Sequence, residues 1–264
     1  MIRKFQFGKN WRLFLKNLNK EKINESKCDL LKFLKLEDLE NKSFLDIGSG
    51  SGLSSLSAIK SGAKVYSFDY DEVSVECTKT LRDKFFEGNL DGWTIERGSA
   101  IDEEYMNSLP KFDVVYSWGV LHHTGDMWKG LELIEKKVKF GGLLYIALYN
   151  DQGVTSKVWE KLKRIYVSSN KIIKIFMILV VGLRLTLPSF IKDTLKLRPL
   201  NQFKNSGRGM SRLTDVIDWI GGYPFEVSKP EDIILFFNQK GFKLENLKTC
   251  GGGKGCNEFL FLKI

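Results

Sequence analysis

The chain has 264 residues, of which 43% are hydrophobic and 12% aromatic, enough for one large domain or one domain carrying an insertion; wholesale disorder is excluded. A formal net charge of +9 favours anionic partners such as nucleic acid, nucleotide-linked metabolites or a membrane surface, although the lysines are scattered and an evenly solvated surface accounts for them equally well. No leader is expected, because the basic start Met1 to Gln6 has no apolar stretch behind it. Cys28, Cys77, Cys250 and Cys256 have neither C-x-x-C spacing nor a nearby His, so no metal site is expected and reduced thiols in a cytoplasmic setting are.

Residues 1–40 are predicted to form a helical lid, with Trp11, Phe14, Leu15 and Leu18 at helix spacing and Leu30 to Leu36 continuing an apolar face. Residues 41–150 then alternate strand and helix. Strands are expected at Ser43–Ile47, Lys64–Phe68, Trp93–Glu96, Phe112–Tyr116 and Leu143–Tyr149, and helices at Leu53–Lys60, Val73–Phe86 and Met127–Lys139. This alternation predicts an α/β doubly wound, mostly parallel sheet. Residues 151–229 break the rhythm with two long helical segments and a short one near Asp215 to Ile220, read as an insertion capping the sheet. Within it the apolar run Ile172 to Leu187 is too short to span a bilayer and carries Lys174 and Arg184; it is expected to be a buried or dimer-interface helix, with membrane-surface contact as the alternative. Residues 230–264 supply a last helix from Pro230 to Gly241 and strands at Lys243–Thr249 and Glu258–Lys263, an antiparallel hairpin at the sheet edge.

The most informative segment is Asp46-Ile47-Gly48-Ser49-Gly50-Ser51-Gly52, which follows a strand and opens a helix, the place where such a sheet binds a nucleotide-like ligand. Glycines there permit a tight turn and close backbone approach. A dinucleotide fingerprint would need Gly or Ala where Leu53 stands, which argues against a dehydrogenase. Asp46 suits a cofactor carrying an ammonium and a sulfonium. Asp69 ends the second strand, where a carboxylate can accept hydrogen bonds from both ribose hydroxyls, and Tyr70 beside it can pack on adenine. Ser99 and Ala100 follow the third strand, on the adenine side.

With these residues in view, the chain resembles class I S-adenosylmethionine-dependent methyltransferases over nearly its whole length. The resemblance implies a seven-stranded Rossmann-like sheet and S-adenosylmethionine as cofactor, with S-adenosylhomocysteine as product. Val115 to Thr124 looks like the motif bordering the transferred methyl, with Trp118 beside the cofactor. Ser99 departs from the acid or amide that many relatives carry, which leaves the adenine contact open. A closer likeness, to bacterial small-molecule methyltransferases associated with surface polysaccharide, rests on the segments Phe7-Gly8-Lys9-Asn10-Trp11, Tyr149 to Gly153, Arg208-Gly209-Met210, Gly221 to Glu226 and Gly251 to Glu258.

His122 and His123 are the only histidines, and histidine titrates where a general base works. By resemblance to O-methyltransferases with a Leu-Glu-His pattern, His123 is the expected base and His122 the second choice. Tyr149, Asn150, Arg208, Tyr223, Glu226, Asn257 and Glu258 are the candidate acceptor-binding residues. The expected activity is O-methylation of a sugar, nucleotide-linked sugar or phosphorylated precursor of a bacterial surface polysaccharide, such as capsule or lipopolysaccharide, hence a small, anionic or nucleotide-linked acceptor. RNA methylation, quinone or lipid methylation and a non-catalytic cofactor-binding role are the alternatives. Nucleic acid is not expected as a partner, nor is a transmembrane segment; a homodimer is an open possibility.

Overall fold

A computed structural model of the chain describes residues 5, 7–86, 91–195 and 212–264. Seven strands form one sheet: β1 Ser43–Ile47, β2 Lys64–Asp69, β3 Trp93–Arg97, β4 Phe112–Trp118, β5 Val138–Tyr149, β6 Phe242–Lys248 and β7 Cys256–Lys263, in the order β3-β2-β1-β4-β5-β7-β6. The first five pair in parallel, while β7 runs antiparallel to both β5 and β6. The expected α/β sheet with its edge hairpin is therefore present, with β7 inserted inside β6. Sequence pattern explains that order. Phe259, Leu260 and Phe261 are all buried, which a strand needs when it is covered on both faces, whereas Phe242–Lys248 is buried only at Phe242 and lies at the edge.

Helices cover both faces. On one, α2 Lys20–Leu34, α3 Leu53–Ile59 and α4 Glu72–Phe85 pack Leu34, Leu56 and Leu81 around Phe44 and Val65. On the other, α5 Glu103–Ser108, α6 Met127–Glu135 and α10 Pro230–Gln239 pack Met106, Leu131 and Phe237 around Leu45, Ile47 and Phe261. Each fully buried Phe or Leu of these layers contributes roughly 1.5–3 kcal/mol by leaving water. Side-chain caps start several helices: Asp71 accepts from the Val73 N–H and Asp102 from the Tyr105 N–H.

Two elements differ from the sequence reading. The α6 helix stops at Glu135 instead of running to Lys139, because Val138 already pairs with Phe112 and the register shifts before Leu143 opposite Val114. The six-residue α5 was not foreseen, since it is too short to show an apolar period.

The N-terminal α1 Gly8–Lys16 lies against α4, with the Gly8 N–H donating to Asp71 at 3.0 Å. Three further helices, α7 Val154–Ser168, α8 Lys171–Leu195 and α9 Arg212–Gly221, fall between β5 and α10 and share a core of Trp159, Tyr166, Val181, Ile220 and Phe225. Of the expectation that the run from Ile172 is a buried or dimer-interface helix, burial within the chain is not met in the described part of α8. Met177, Ile178 and Val181 face α7 and α9, but Ile172, Phe176 and Leu179 are 79%, 65% and 66% exposed. None of the helices among the described residues is long and apolar enough to cross a membrane.

Candidate active site

Strand order reverses at β1, with β2 on one side and β4 on the other, and a cavity of about 1530 Å³ opens above the carboxyl ends of these strands. Its first end is the glycine turn. Gly48, Gly50 and Gly52 have φ of 75°, 57° and 80°, and the Gly48 and Ser49 N–H groups donate to the Phe68 carbonyl at 2.8 and 3.1 Å. A Cβ on Gly48 would stand 2.5 Å from both Val120 methyls, and one on Gly50 2.9 Å from the Trp11 indole, so both close approaches require glycine. Gly52 does not line the cavity. A Cβ there would meet the Thr78 backbone at 3.0 Å, so this glycine serves the packing of α3 on α4.

Asp69 lines the cavity and is fixed by its own turn, accepting from the Gly50 N–H at 2.9 Å and the Asp71 N–H at 2.8 Å. Burial pushes its carboxyl up to about 6 against these hydrogen bonds. Asp46 is buried deeper; the Ser55 hydroxyl donates to it at 2.5 Å, and burial pushes it up to about 7. Tyr70 is 56% exposed at the rim with the Arg97 guanidinium 5.8 Å from its ring, and Ser99, Ala100 and Trp118 continue the wall. Loop and strand ends thus bring nine of the ten expected cofactor residues to one cavity, Gly52 being the exception. Trp11 and Asp71 join them without having been singled out; the only signal was that Trp11 lies in one of the resembling segments.

The second end holds the histidines, presented by a single 3₁₀ turn, Leu121–His123. Their hydrogen bonds assign opposite tautomers. The Tyr149 N–H donates to His122 Nδ1 at 3.2 Å, so the neutral ring carries its proton on Nε2. His123 Nδ1 lies 2.7 Å from the Pro224 carbonyl, which can only accept, so this ring donates from Nδ1 and keeps the lone pair on Nε2. His122 is fully buried, stacked on Tyr149 at 3.8 Å, and its Nε2 has no hydrogen-bond partner among the described residues. His123 packs between Phe7, with ring centroids 4.9 Å apart, and Gly222, where a Cβ would come within 2.7 Å of the imidazole. Burial, then the nearby Lys163 ammonium, push His123 down to about 3 against the Pro224 hydrogen bond, and the same causes with His123 itself hold His122 well below the ordinary value. Both rings are neutral at physiological pH.

Lys163 was not foreseen and lies beneath this end, fully buried, donating to the Trp219 carbonyl and standing 4.5 and 4.7 Å from the Trp219 and Phe225 rings. Burial brings it down to about 7, opposed by Asp218, which itself reaches the cavity.

The expected acceptor residues separate into two groups. Tyr149, Tyr223 and Glu258 line the cavity, Glu258 accepting from the Tyr145 hydroxyl and from Lys248 at 2.8 Å. The other three described residues hold structure instead. Glu226 accepts from the Gly125 and Met127 N–H groups at 3.1 Å and caps the start of α6. Asn257 donates to Asn150 at 2.9 Å and accepts from the Cys250 N–H, while Asn150 donates to Gly253, clipping the β6–β7 connection to the end of β5. Arg208 lies outside the described residues. The cavity does not collect the chain's positive charge: among the described residues its lining has nine Asp or Glu side chains and four Lys or Arg.

Comparisons with known proteins agree with this geometry. Curated relatives include the ubiquinone biosynthesis O-methyltransferase of Pelagibacter ubique, 28% identical over 140 residues, 52% of this chain and 55% of the relative. Another is the enzyme of the same name from Brucella melitensis biotype 1, 31% identical over 112 residues, 42% and 43% of the two chains. The chain thus spans about half the length of the curated relatives it matches. Among solved structures, magnesium protoporphyrin IX methyltransferase from Synechocystis PCC 6803 with bound SAH superposes with a TM-score of 0.54 at 14% identity, covering 94% of this chain and 89% of that one, which is a likeness of fold. Residues 20–176, more than half of the chain, match the family model described as a methyltransferase domain. The protein belongs to that family, as a class I S-adenosylmethionine-dependent methyltransferase.

Proposed function

We propose that the protein O-methylates a hydroxyl on an uncharged, ring-shaped small molecule, with His123 as general base. The observation that carries this reading is the pair of tautomers. His123 uses Nδ1 on the Pro224 carbonyl and so keeps its lone pair on Nε2 in a residue that lines the cavity, whereas His122 spends its lone pair on the Tyr149 N–H and cannot take a proton without breaking that bond. The base therefore falls to His123.

The residues fit the cofactor. Asp69 keeps lone pairs for the ribose hydroxyls beyond the two N–H groups it accepts, and Gly48, Ser49 and Gly50 line the part of the cavity that would take the amino-acid end, with Asp46 beside them. Ser99 and Ala100 would border the adenine and Trp118 the methyl. S-adenosylmethionine supplies a methyl on a sulfonium, already activated for in-line displacement. The chain's contribution is then alignment and proton removal. As the new C–O bond forms, the hydroxyl oxygen becomes oxonium-like and its proton far more acidic than imidazolium. A base held down near 3 can therefore accept it, and it is never lost to prior protonation at neutral pH.

Acceptor charge divides the candidate classes. The carboxylate-rich lining disfavours phosphorylated or nucleotide-linked sugars and RNA, and Phe7, Tyr149, Trp219 and Tyr223 offer ring faces beside the histidines. Together with relatives named for ubiquinone biosynthesis, this favours a phenolic or quinol-type hydroxyl. An uncharged surface-polysaccharide sugar, suggested by the segment matches, is the second reading.

Mass-spectrometric methyl transfer to a panel of phenols, neutral sugars, nucleotide sugars and amines tests this. Phenols should be turned over, and His123→Ala should lower kcat by about 10²–10⁴ with cofactor affinity unchanged. Methylation of amines alone, or full activity in His123→Ala, would refute the assignment.

A further inference from the structure

We propose that the outer face of α7 and α8 docks on an anionic lipid bilayer surface. The inference is independent of the acceptor's identity. On α8, Ile172, Ile175, Phe176, Leu179 and Leu183 recur at helix spacing and are each more than half exposed. On α7, Val154, Val158 and Ile165 lie at helix spacing and are each at least half exposed. Solvated monomers do not usually leave this much contiguous apolar surface uncovered.

Charge identifies the occupant. Between residues 152 and 184 Glu160 is the only acid, whereas Lys157, Lys161, Arg164, Lys171 and Arg184 are exposed cations on the same two helices. A second copy would meet this surface through a two-fold contact, placing the patch against itself and lysine against lysine. Anionic headgroups satisfy both features at once, apolar side chains entering the interface and cations meeting phosphate. Such a helix lies in the plane of the surface, consistent with the absence of a membrane-crossing helix among the described residues. Glycine and histidine ends of the cavity belong to other elements, so docking need not disturb them.

Co-sedimentation of the full chain with phosphatidylglycerol-rich and with pure phosphatidylcholine vesicles is the test. Two variants accompany it, Phe176→Asp with Leu179→Asp, and Lys157→Ser with Lys161→Ser and Lys171→Ser. Circular dichroism and cofactor calorimetry confirm that both remain folded. The chain should pellet with the anionic vesicles at low salt and release at high salt, and each variant should lose at least about tenfold in partitioning. The proposal is overturned if the chain stays in the supernatant, if it binds both vesicle types equally, or if the variants bind like the parent. It is also overturned if sedimentation velocity shows a dimer that the aspartate pair dissolves, because a second copy then covers the face.

Discussion

Gly48→Ala should destabilise the protein more than its backbone angle alone requires, and Gly141→Ala supplies the comparison. The two glycines share nearly the same positive φ, 75° and 73°, a region that costs an L-residue about 1–2 kcal/mol. They differ in surroundings. A Cβ at Gly141 meets nothing within 4 Å, whereas at Gly48 it falls 2.5 Å from both Val120 methyls, roughly 1 Å inside ordinary contact. Overpacking of that kind adds about 1–3 kcal/mol, so Gly48→Ala should lose about 2–5 kcal/mol in all and Gly141→Ala about 1–2. For a chain of this size the difference between them corresponds to a Tm gap of about 2–5 °C. Val120 leads into the turn carrying both histidines, so the same substitution should also weaken S-adenosylmethionine binding, which Gly141→Ala leaves alone. Urea unfolding and calorimetric titration of both variants provide the readout. Equal destabilisation, or unchanged cofactor affinity in Gly48→Ala, would refute the steric argument.

Acid stability follows from two carboxyls, buried Asp46 and half-buried Asp69. Asp46 at about 7 and Asp69 at about 6 lie above their ordinary 3.8, so each favours its protonated form in the folded state. That stability is complete below about pH 4 and is lost as pH rises through 6 to 7. Asp46→Asn, which keeps an oxygen for Ser55, should flatten the decline between pH 4 and 8 and gain about 1–3 kcal/mol at pH 8, measured by urea unfolding across pH; a slope identical to the parent's would contradict the assignment. Glu226→Ala should lose about 1–2 kcal/mol, because the Gly125 and Met127 N–H groups at the start of α6 lose their acceptor, while cofactor affinity stays unchanged. A loss of cofactor binding with unchanged stability would instead return Glu226 to the ligand side of the site.

Legibility divided along sequence distance. The turn from Asp46 to Gly52 and the acid at Asp69 were readable because strand, glycine turn and helix start lie together in the chain and each has its own local signature. The same is true of His122 and His123, adjacent and unique. The structural partners of Glu226, Asn150 and Asn257 were not legible, because each residue belongs to a polar loop and those partners lie about a hundred residues away in sequence. Lys163 was invisible for a related reason. It looks like any other lysine of a charged helix until α9 and the Phe225 segment enclose it.

Periodicity and turn chemistry alone determined the α/β alternation, the hairpin near the carboxyl end and the glycine-turn site, because these follow from short-range backbone geometry. Which histidine has a lone pair to offer was decided only by tertiary structure. Tyr149 comes from the end of β5 and Pro224 from the segment after α9, and their backbone groups assign the two tautomers from opposite sides. Exposure of α8 was decided in the same way: composition marks the helix as apolar, but only packing against α7 and α9 reveals which of its sides has a neighbour.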